Sequence, residues 1–196
     1  MGSGMAETHV VAISGSLRDD SYTRKSLRIA LDAAEDAGAS TELLDLREWE
    51  LPVFDADTEN AGDAETFRER IQAADSVLLG TPVYHGSFSA PLKNALDYCG
   101  FDEFEHTTIG LLAVAGGRFP ITALEQLRTV GRSLDAWVIP LQVAIPRASN
   151  AYEDGELVDE EHRELIETLG RETVQYAHIE PDPASFESGE NVGADD

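Results

Sequence analysis

The first chemically loaded stretch of this chain is Ser14-Gly15-Ser16-Leu17-Arg18-Asp19-Asp20-Ser21-Tyr22-Thr23-Arg24. Ser16, Ser21 and Thr23 offer hydroxyl donors, and Arg18 offers a guanidinium fork that matches a phosphate group. An apolar run, Val10-Val11-Ala12-Ile13, precedes the stretch, and Leu27, Leu31 and Ala34 follow it at one-face helical spacing. A loop that leaves a strand's C-terminal end and opens a helix presents unpaired amides at the positive end of the helix dipole. Hydroxyls, a guanidinium and free amides together make an anion site. The same residues also suit an ordinary strand-to-helix turn with a Ser cap, and spacing alone leaves both readings open.

A second stretch of the same build is Thr81-Pro82-Val83-Tyr84-His85-Gly86-Ser87, which leaves the apolar run Ser76-Val77-Leu78-Leu79-Gly80. It returns as a helix whose first turn suits Pro91 and which runs to about Cys99. Pro82, Val83 and Tyr84 set backbone groups and a flat ring beside whatever the first loop holds. His85 reads either as a contact to that occupant or as a polar loop residue on the surface. A third loop, Gly116-Gly117-Arg118, closes the apolar run Thr108 to Ala115.

Three such loops need a scaffold that brings strand ends together. Short, continuous apolar runs predict strands buried on both faces near 10–13, 76–80 and 108–115, while 41–46, moderately alternating, and 136–145 read as further strands. Amphipathic segments separate them: one ending near Gly38, one through Ala64, Phe67, Ile71 and Ala74, and one through Ile121, Leu124 and Leu127. Pro140 and Pro146 mark the fifth strand as irregular or at an edge. Asp154-Gly155 reads as a turn, and an acidic helix is predicted from about Asp159 to His178. Residues 49–62 lack periodicity and are long for a connection, a common feature of lids and binding segments. Alternating strands and helices imply a doubly wound parallel sheet with helices on both faces. Right-handed crossovers leave few topologies, of which the flavodoxin-like five-stranded order 2-1-3-4-5 is the natural one; in it the loops after strands 1, 3 and 4 meet at one crevice.

The chain is 196 residues long with a formal net charge of -24. That charge repels nucleic acid and argues against it as a partner. The fourteen basic side chains comprise Lys25, Lys93 and twelve arginines. An acidic, lysine-poor composition resembles proteins of salt-loving archaea and bacteria, where salt screens self-repulsion; an ordinary acidic protein is the alternative. Cys99 stands alone, so no internal disulfide is expected, and no apolar run is long enough to span a membrane. A cytoplasmic protein without a signal peptide is the expectation. Residues 1–6 read as an appended leader and flexible N-terminus, 7–179 as one domain, and 180–196 as an acidic disordered tail.

Gly15-Ser16-Leu17-Arg18 with Ser21 and Thr23-Arg24 resembles the phosphate loop of the NADPH-dependent FMN reductase family. Pro82-Val83-Tyr84-His85-Gly86-Ser87, with Leu92-Lys93-Asn94-Ala95-Leu96-Asp97, resembles that family's second signature. Together with Gly116-Gly117, the likeness runs from Val10 to Leu169. It implies an FMN-dependent NAD(P)H oxidoreductase that passes hydride from NADPH or NADH through bound FMN to free flavin, a quinone, an azo compound or a metal oxyanion. Ser16, Arg18, Ser21 and Thr23 would take the FMN phosphate. Pro82, Val83, Tyr84 and His85 would border the isoalloxazine, and Gly116 and Gly117 would offer amides to its pyrimidine edge. Arg118 would attract a nucleotide phosphate, or else stand solvated. The family more often carries Asn where His85 stands, and Ser where Ala115 stands.

The resemblance further implies a homodimer or homotetramer and no protein general base, so no side chain is assigned as catalytic and no metal site is expected. A flavodoxin-type electron carrier is the alternative on the same fold. A phosphatase on a similar sheet would need a cysteine in the phosphate loop, and Cys99 lies elsewhere.

Overall fold

The computed structural model of the protein describes residues 7–178. The expectations for residues 1–6 and 180–196 lie outside the described residues. Strands β1 (His9–Ser14), β2 (Ser40–Asp45), β3 (Ser76–Pro82), β4 (Thr108–Val114) and β5 (Trp137–Ile145) pair in parallel. Their order is β2-β1-β3-β4-β5, the 2-1-3-4-5 arrangement expected of the alternating runs. The connections carry α1 (Tyr22–Asp36), α2 (Ala64–Gln72), α3 (Ala90–Asp97), α4 (Phe101–Phe104) and α5 (Ile121–Ser133). After β5 come α6 (Ala148–Ala151), a small hairpin of β6 (Tyr152–Glu153) and β7 (Glu156–Leu157), and α7 (Glu160–Gln175).

The unbroken apolar runs reflect a sheet covered on both sides. Val10, Ala12, Leu78 and Leu112 face α1 and α7, packing on Leu27, Leu31, Ile166 and Leu169. Their neighbours Val11, Ile13, Leu79 and Leu111 face the other way, onto Phe67 of α2, Leu92 and Leu96 of α3 and Leu124 of α5. Each fully buried Leu or Ile contributes about 1.5–3 kcal/mol relative to exposure. Helices α1 and α7 lie close because Gly170 has no side chain; a Cβ there would sit 2.0 Å from the Ala30 carbonyl oxygen. The far end of α7 is pinned beneath the sheet, where Ser76 Oγ donates to Thr173 O at 2.7 Å and Thr108 Oγ1 to Tyr176 O at 2.6 Å.

β5 is an edge strand, as its prolines predict, and Pro140 marks an irregularity in its pairing. Ile109 pairs with Val138 while Leu111 pairs with Gln142, so β5 carries two extra residues over that step. An even excess preserves face parity, and Ile139 and Val143 both stay on the α1–α7 side. Three short elements have no counterpart in the periodicity: α4, α6 and the β6–β7 hairpin. The Asp154-Gly155 turn joins that hairpin with φ values of 47° and 86°, the left-handed pair that a two-residue hairpin turn needs.

The long connection after β2 is stapled down. Asn94 Nδ2 donates to the carbonyls of Leu51 and Pro52 at 3.1 and 2.9 Å, and Asn94 Oδ1 accepts from Phe54 N at 2.8 Å. Tyr98 donates its hydroxyl to Pro52 O at 2.9 Å and meets Phe54 edge-on. Asn94, part of the second signature, therefore ties the segment to α3.

Candidate functional site

The C-terminal ends of β1, β3 and β4 meet where the strand order reverses, the position at which open α/β sheets bind ligands. A cavity of about 210 Å³ lies there. Its floor is the β1–α1 loop, with Ser16, Arg18, Ser21 and Thr23 among the lining residues. Its walls include Pro82 at the end of β3, Val83 and Tyr84 just beyond it, Gly116 after β4, and Ser149 of α6. Among the described residues that line it there is no carboxylate, in a chain with 38 acidic side chains.

Local rules build each wall. Ser21 caps α1: its side chain accepts from Arg24 N at 3.1 Å, and its carbonyl accepts from Lys25 N at 3.1 Å. The first-turn amides of Tyr22 and Thr23 have no intrahelical acceptor and remain free for an anion. Ser16, Ser21 and Thr23 are buried, whereas Arg18 is exposed at the rim. Behind the first turn, Tyr22 stacks on Tyr152 at 4.1 Å, and the Tyr152 hydroxyl lies 2.5 Å from Ser26 Oγ. Burial pushes the Tyr152 phenol up from its ordinary value, with the Ser26 bond opposing, so it stays protonated.

Gly15 is small for a reason inside the protein. A Cβ on it would lie 2.8 Å from both Leu92 Cβ and Ser89 Oγ, and 3.2 Å from Gly80 O. The first loop is thus seated against the start of α3. Ser89 donates to Gly15 O at 2.7 Å and also caps α3, accepting from Leu92 N at 3.4 Å. Thr81 Oγ1 accepts from Ser89 N at 2.9 Å.

The second loop is a tight hairpin. Tyr84 and Ser87 exchange backbone hydrogen bonds of 3.0 and 3.1 Å around His85 and Gly86, whose φ values are 53° and 79°. Both central residues are left-handed, a conformation for which Asn, Asp and His are the tolerated non-glycine choices. His85 is thus one of the few side chains that this backbone position tolerates. Ser87 donates its hydroxyl to Gln126 Oε1 at 2.6 Å, locking the hairpin to α5.

The third loop is tied to α6: Arg147 N donates to Gly117 O at 2.8 Å and Ala148 N to Ala115 O at 2.9 Å. A Cβ on Gly116 would meet nothing within 4 Å.

Of the residues singled out in the sequence, Ser16, Arg18, Ser21, Thr23, Pro82, Val83, Tyr84 and Gly116 line one cavity. His85, Gly117 and Arg118 are exposed beside it and are not lining residues. Ser89, Thr81 and Ser149 escaped sequence reasoning. Ser89 had a legible signal, a Ser two residues before a first-turn proline; Ser149 had none. Cys99 is half-buried, its thiol donating to Ala95 O at 3.4 Å. Burial first, then the Glu103 carboxylate, pushes that thiol well above its ordinary value.

Asp45, at the end of β2, was also missed. Burial alone would raise its carboxyl, but the hydrogen bonds and charge of Arg47, with the charge of Arg24, hold it below the usual carboxylate range.

A doubly wound 2-1-3-4-5 sheet with a hydroxyl- and amide-lined anion cradle at its switch point defines the flavodoxin-like class of flavoproteins. Within that class, the chain belongs to the NADPH-dependent FMN reductase family, whose model matches residues 8–150. It is an FMN-dependent NAD(P)H oxidoreductase, an enzyme and not a simple electron carrier.

The chain is 35% identical to an NADPH azoreductase of Bacillus sp. (strain OY1-2) over 174 residues, covering 87% of this chain and 93% of that protein. It is 35% identical over 141 residues to an FMN-dependent NADPH-azoreductase of Staphylococcus aureus, covering 67% of this chain and 73% of that one. In structure it resembles the flavoenzyme NAD(P)H:(acceptor) oxidoreductase FerB of Paracoccus denitrificans. That likeness has a TM-score of 0.72 at 22% identity and covers 87% of this chain and 97% of that one. An oxidoreductase of Corynebacterium diphtheriae gives 0.73 at 20% identity, covering 89% and 99%. These last two likenesses concern the fold.

Proposed function

We propose that FMN binds with its phosphate in the β1–α1 cradle and that the enzyme reduces azo compounds with NADPH or NADH. The carrying observation is the carboxylate-free lining at the switch point of a strongly acidic protein. A dianionic phosphate is repelled by most of this surface and accepted at that one cradle. Ser16, Ser21 and Thr23 supply hydroxyls, α1 supplies the free amides of Tyr22 and Thr23, and Arg18 closes the rim as a charge-assisted donor. Pro82, Val83 and Tyr84 present a flat wall for the isoalloxazine, and Gly116 and Gly117 offer amides to its pyrimidine edge. His85 serves there by holding the left-handed turn that aims Tyr84. Arg118, exposed beside Gly117, attracts the phosphates of the nicotinamide nucleotide.

Bound FMN supplies a hydride acceptor for NAD(P)H and a two-electron donor for the acceptor substrate. The protein's own residues bind and orient; none is assigned a proton transfer. Azo compounds are favoured as acceptors because the two 35%-identical relatives carry that activity in their names. Free flavin, quinones and metal oxyanions complete the panel to be tested.

Further features support a setting. Leu17 and Val53 are exposed around an apolar cavity of about 600 Å³ that also involves Trp49, Leu51 and Pro91. A second copy of the chain covering that face, in a homodimer or homotetramer, would remove it from water. Dependence on NAD(P)H supports a cytoplasmic enzyme, and the acidic, lysine-poor surface supports a salt-rich one. No described helix is long and apolar enough to cross a membrane.

The test is a steady-state acceptor panel with each nucleotide in molar KCl. Donor and acceptor sharing one open face should give parallel double-reciprocal lines, and anaerobic NADPH alone should bleach the flavin no more slowly than turnover. Failure of both nucleotides to bleach it would reject this reading.

A further inference from the structure

Arg18 and Arg24 stand six residues apart around the phosphate loop and face opposite ways. Arg18 is exposed at the cavity rim. Arg24 is turned inward, its side chain only 12% exposed. Its Nη1 donates to Arg18 O at 3.1 Å and its Nη2 donates to Asp19 O. The same guanidinium lies 3.3 Å from Asp45 Oδ2, whose side chain is 5% exposed at the end of β2. Arg47 grips that carboxylate from the other side, Nε at 3.1 Å from each oxygen and Nη2 at 2.6 Å from Oδ2. Arg47 Nη1 then reaches back to Asp19 Oδ1 at 3.1 Å.

The arrangement solves two problems of a phosphate loop in this sequence. In a trans peptide the C=O and N–H point oppositely, so a donor fixing the carbonyls of Arg18 and Asp19 also fixes the directions of the next two amides. The loop further carries two carboxylates of its own, which would repel a dianion. Arg47 takes Asp19, and Lys25 takes Asp20. Asp45 is the common anchor: its single carboxylate pairs with both guanidinium groups and fixes where they sit.

We propose that Asp45 is a positioning residue for the phosphate loop, acting through Arg24 and Arg47 to set the loop peptides and hold Asp19 aside. The proposal rests on the reading that this loop takes the FMN phosphate. Phosphate selectivity tests it, since riboflavin differs from FMN by the phosphate alone. The full chain, freed of flavin, is titrated with FMN and with riboflavin for wild type, Asp45→Asn, Arg47→Gln and Ser16→Ala. Asp45→Asn should weaken FMN about ten- to a hundred-fold, with riboflavin changed by less than about threefold. Arg47→Gln, which leaves Arg24 and Asp45 paired, should shift the ratio in the same direction by less. It carries the test should Asp45→Asn not fold.

Equal weakening of both flavins, or an unchanged ratio while Ser16→Ala lowers it, would overturn the positioning role and leave the cradle standing. An unchanged ratio in Ser16→Ala as well would remove the cradle reading and this proposal together.

Discussion

Ser89 Oγ donates to the carbonyl of Gly15 at 2.7 Å, across 74 residues of sequence, and joins the start of α3 to the first loop. The same oxygen caps α3 through Leu92 N, and the Ser89 amide is held by Thr81 Oγ1. One buried hydroxyl therefore sets the distance between the floor of the cavity and the loop that forms its wall.

Ser89→Ala removes a helix cap and leaves the Gly15 carbonyl without this partner. Stability should fall by about 1–2 kcal/mol. Denaturant unfolding measures it, with an unchanged m-value showing that the native state is otherwise intact. A loss under about 0.5 kcal/mol would mean that another donor replaces the hydroxyl.

Arg18→Ala should leave the melting temperature nearly unchanged, because its side chain is exposed. FMN affinity should drop by about 1.5–3 kcal/mol, roughly ten- to a hundred-fold, the range of a charge-assisted bond. Fluorescence titration of the flavin-free protein decides this, and equal affinity would remove Arg18 from the phosphate site.

Stability should rise with salt. With 38 acidic against 14 basic side chains, self-repulsion opposes the compact state in dilute buffer and is screened as KCl increases. Thermal melts from dilute to molar KCl should move upward. A flat or falling midpoint would count against adaptation of this surface to salt.

Asp45 makes an acid-limb prediction. Its carboxyl titrates below the usual range in the folded protein, so it contributes stability above the ordinary aspartate value of about 3.9. That contribution is lost as pH falls through the lower folded value. The stability gap between wild type and Asp45→Asn should therefore be constant near neutrality and close below about pH 4. Urea melts across that range measure the gap; one that widened on acidification would contradict the sign.

Much of this protein was determined locally by its sequence. The apolar runs at Val10–Ile13 and Ser76–Gly80 specify buried parallel strands because a two-faced sheet tolerates no alternation. Pro140 announces an edge strand through its missing N–H. Ser16, Arg18, Ser21 and Thr23 were legible as a set because one short stretch, the first loop and the first turn of α1, holds them all.

Tertiary structure decided the rest. Nothing near Asp45 in sequence shows that Arg24 lies 3.3 Å away, or that Arg24 turns inward while Arg18 faces the rim. Nor does the Gly15 motif reveal that its missing side chain makes room for Leu92 and Ser89. Nor does the sequence show that His85 occupies a left-handed position of its turn. Periodicity, caps and turn residues act over a few positions and can be read along the chain. Ion pairs and close approaches exist only once the strand order brings β2, α1 and α3 to one end of the sheet.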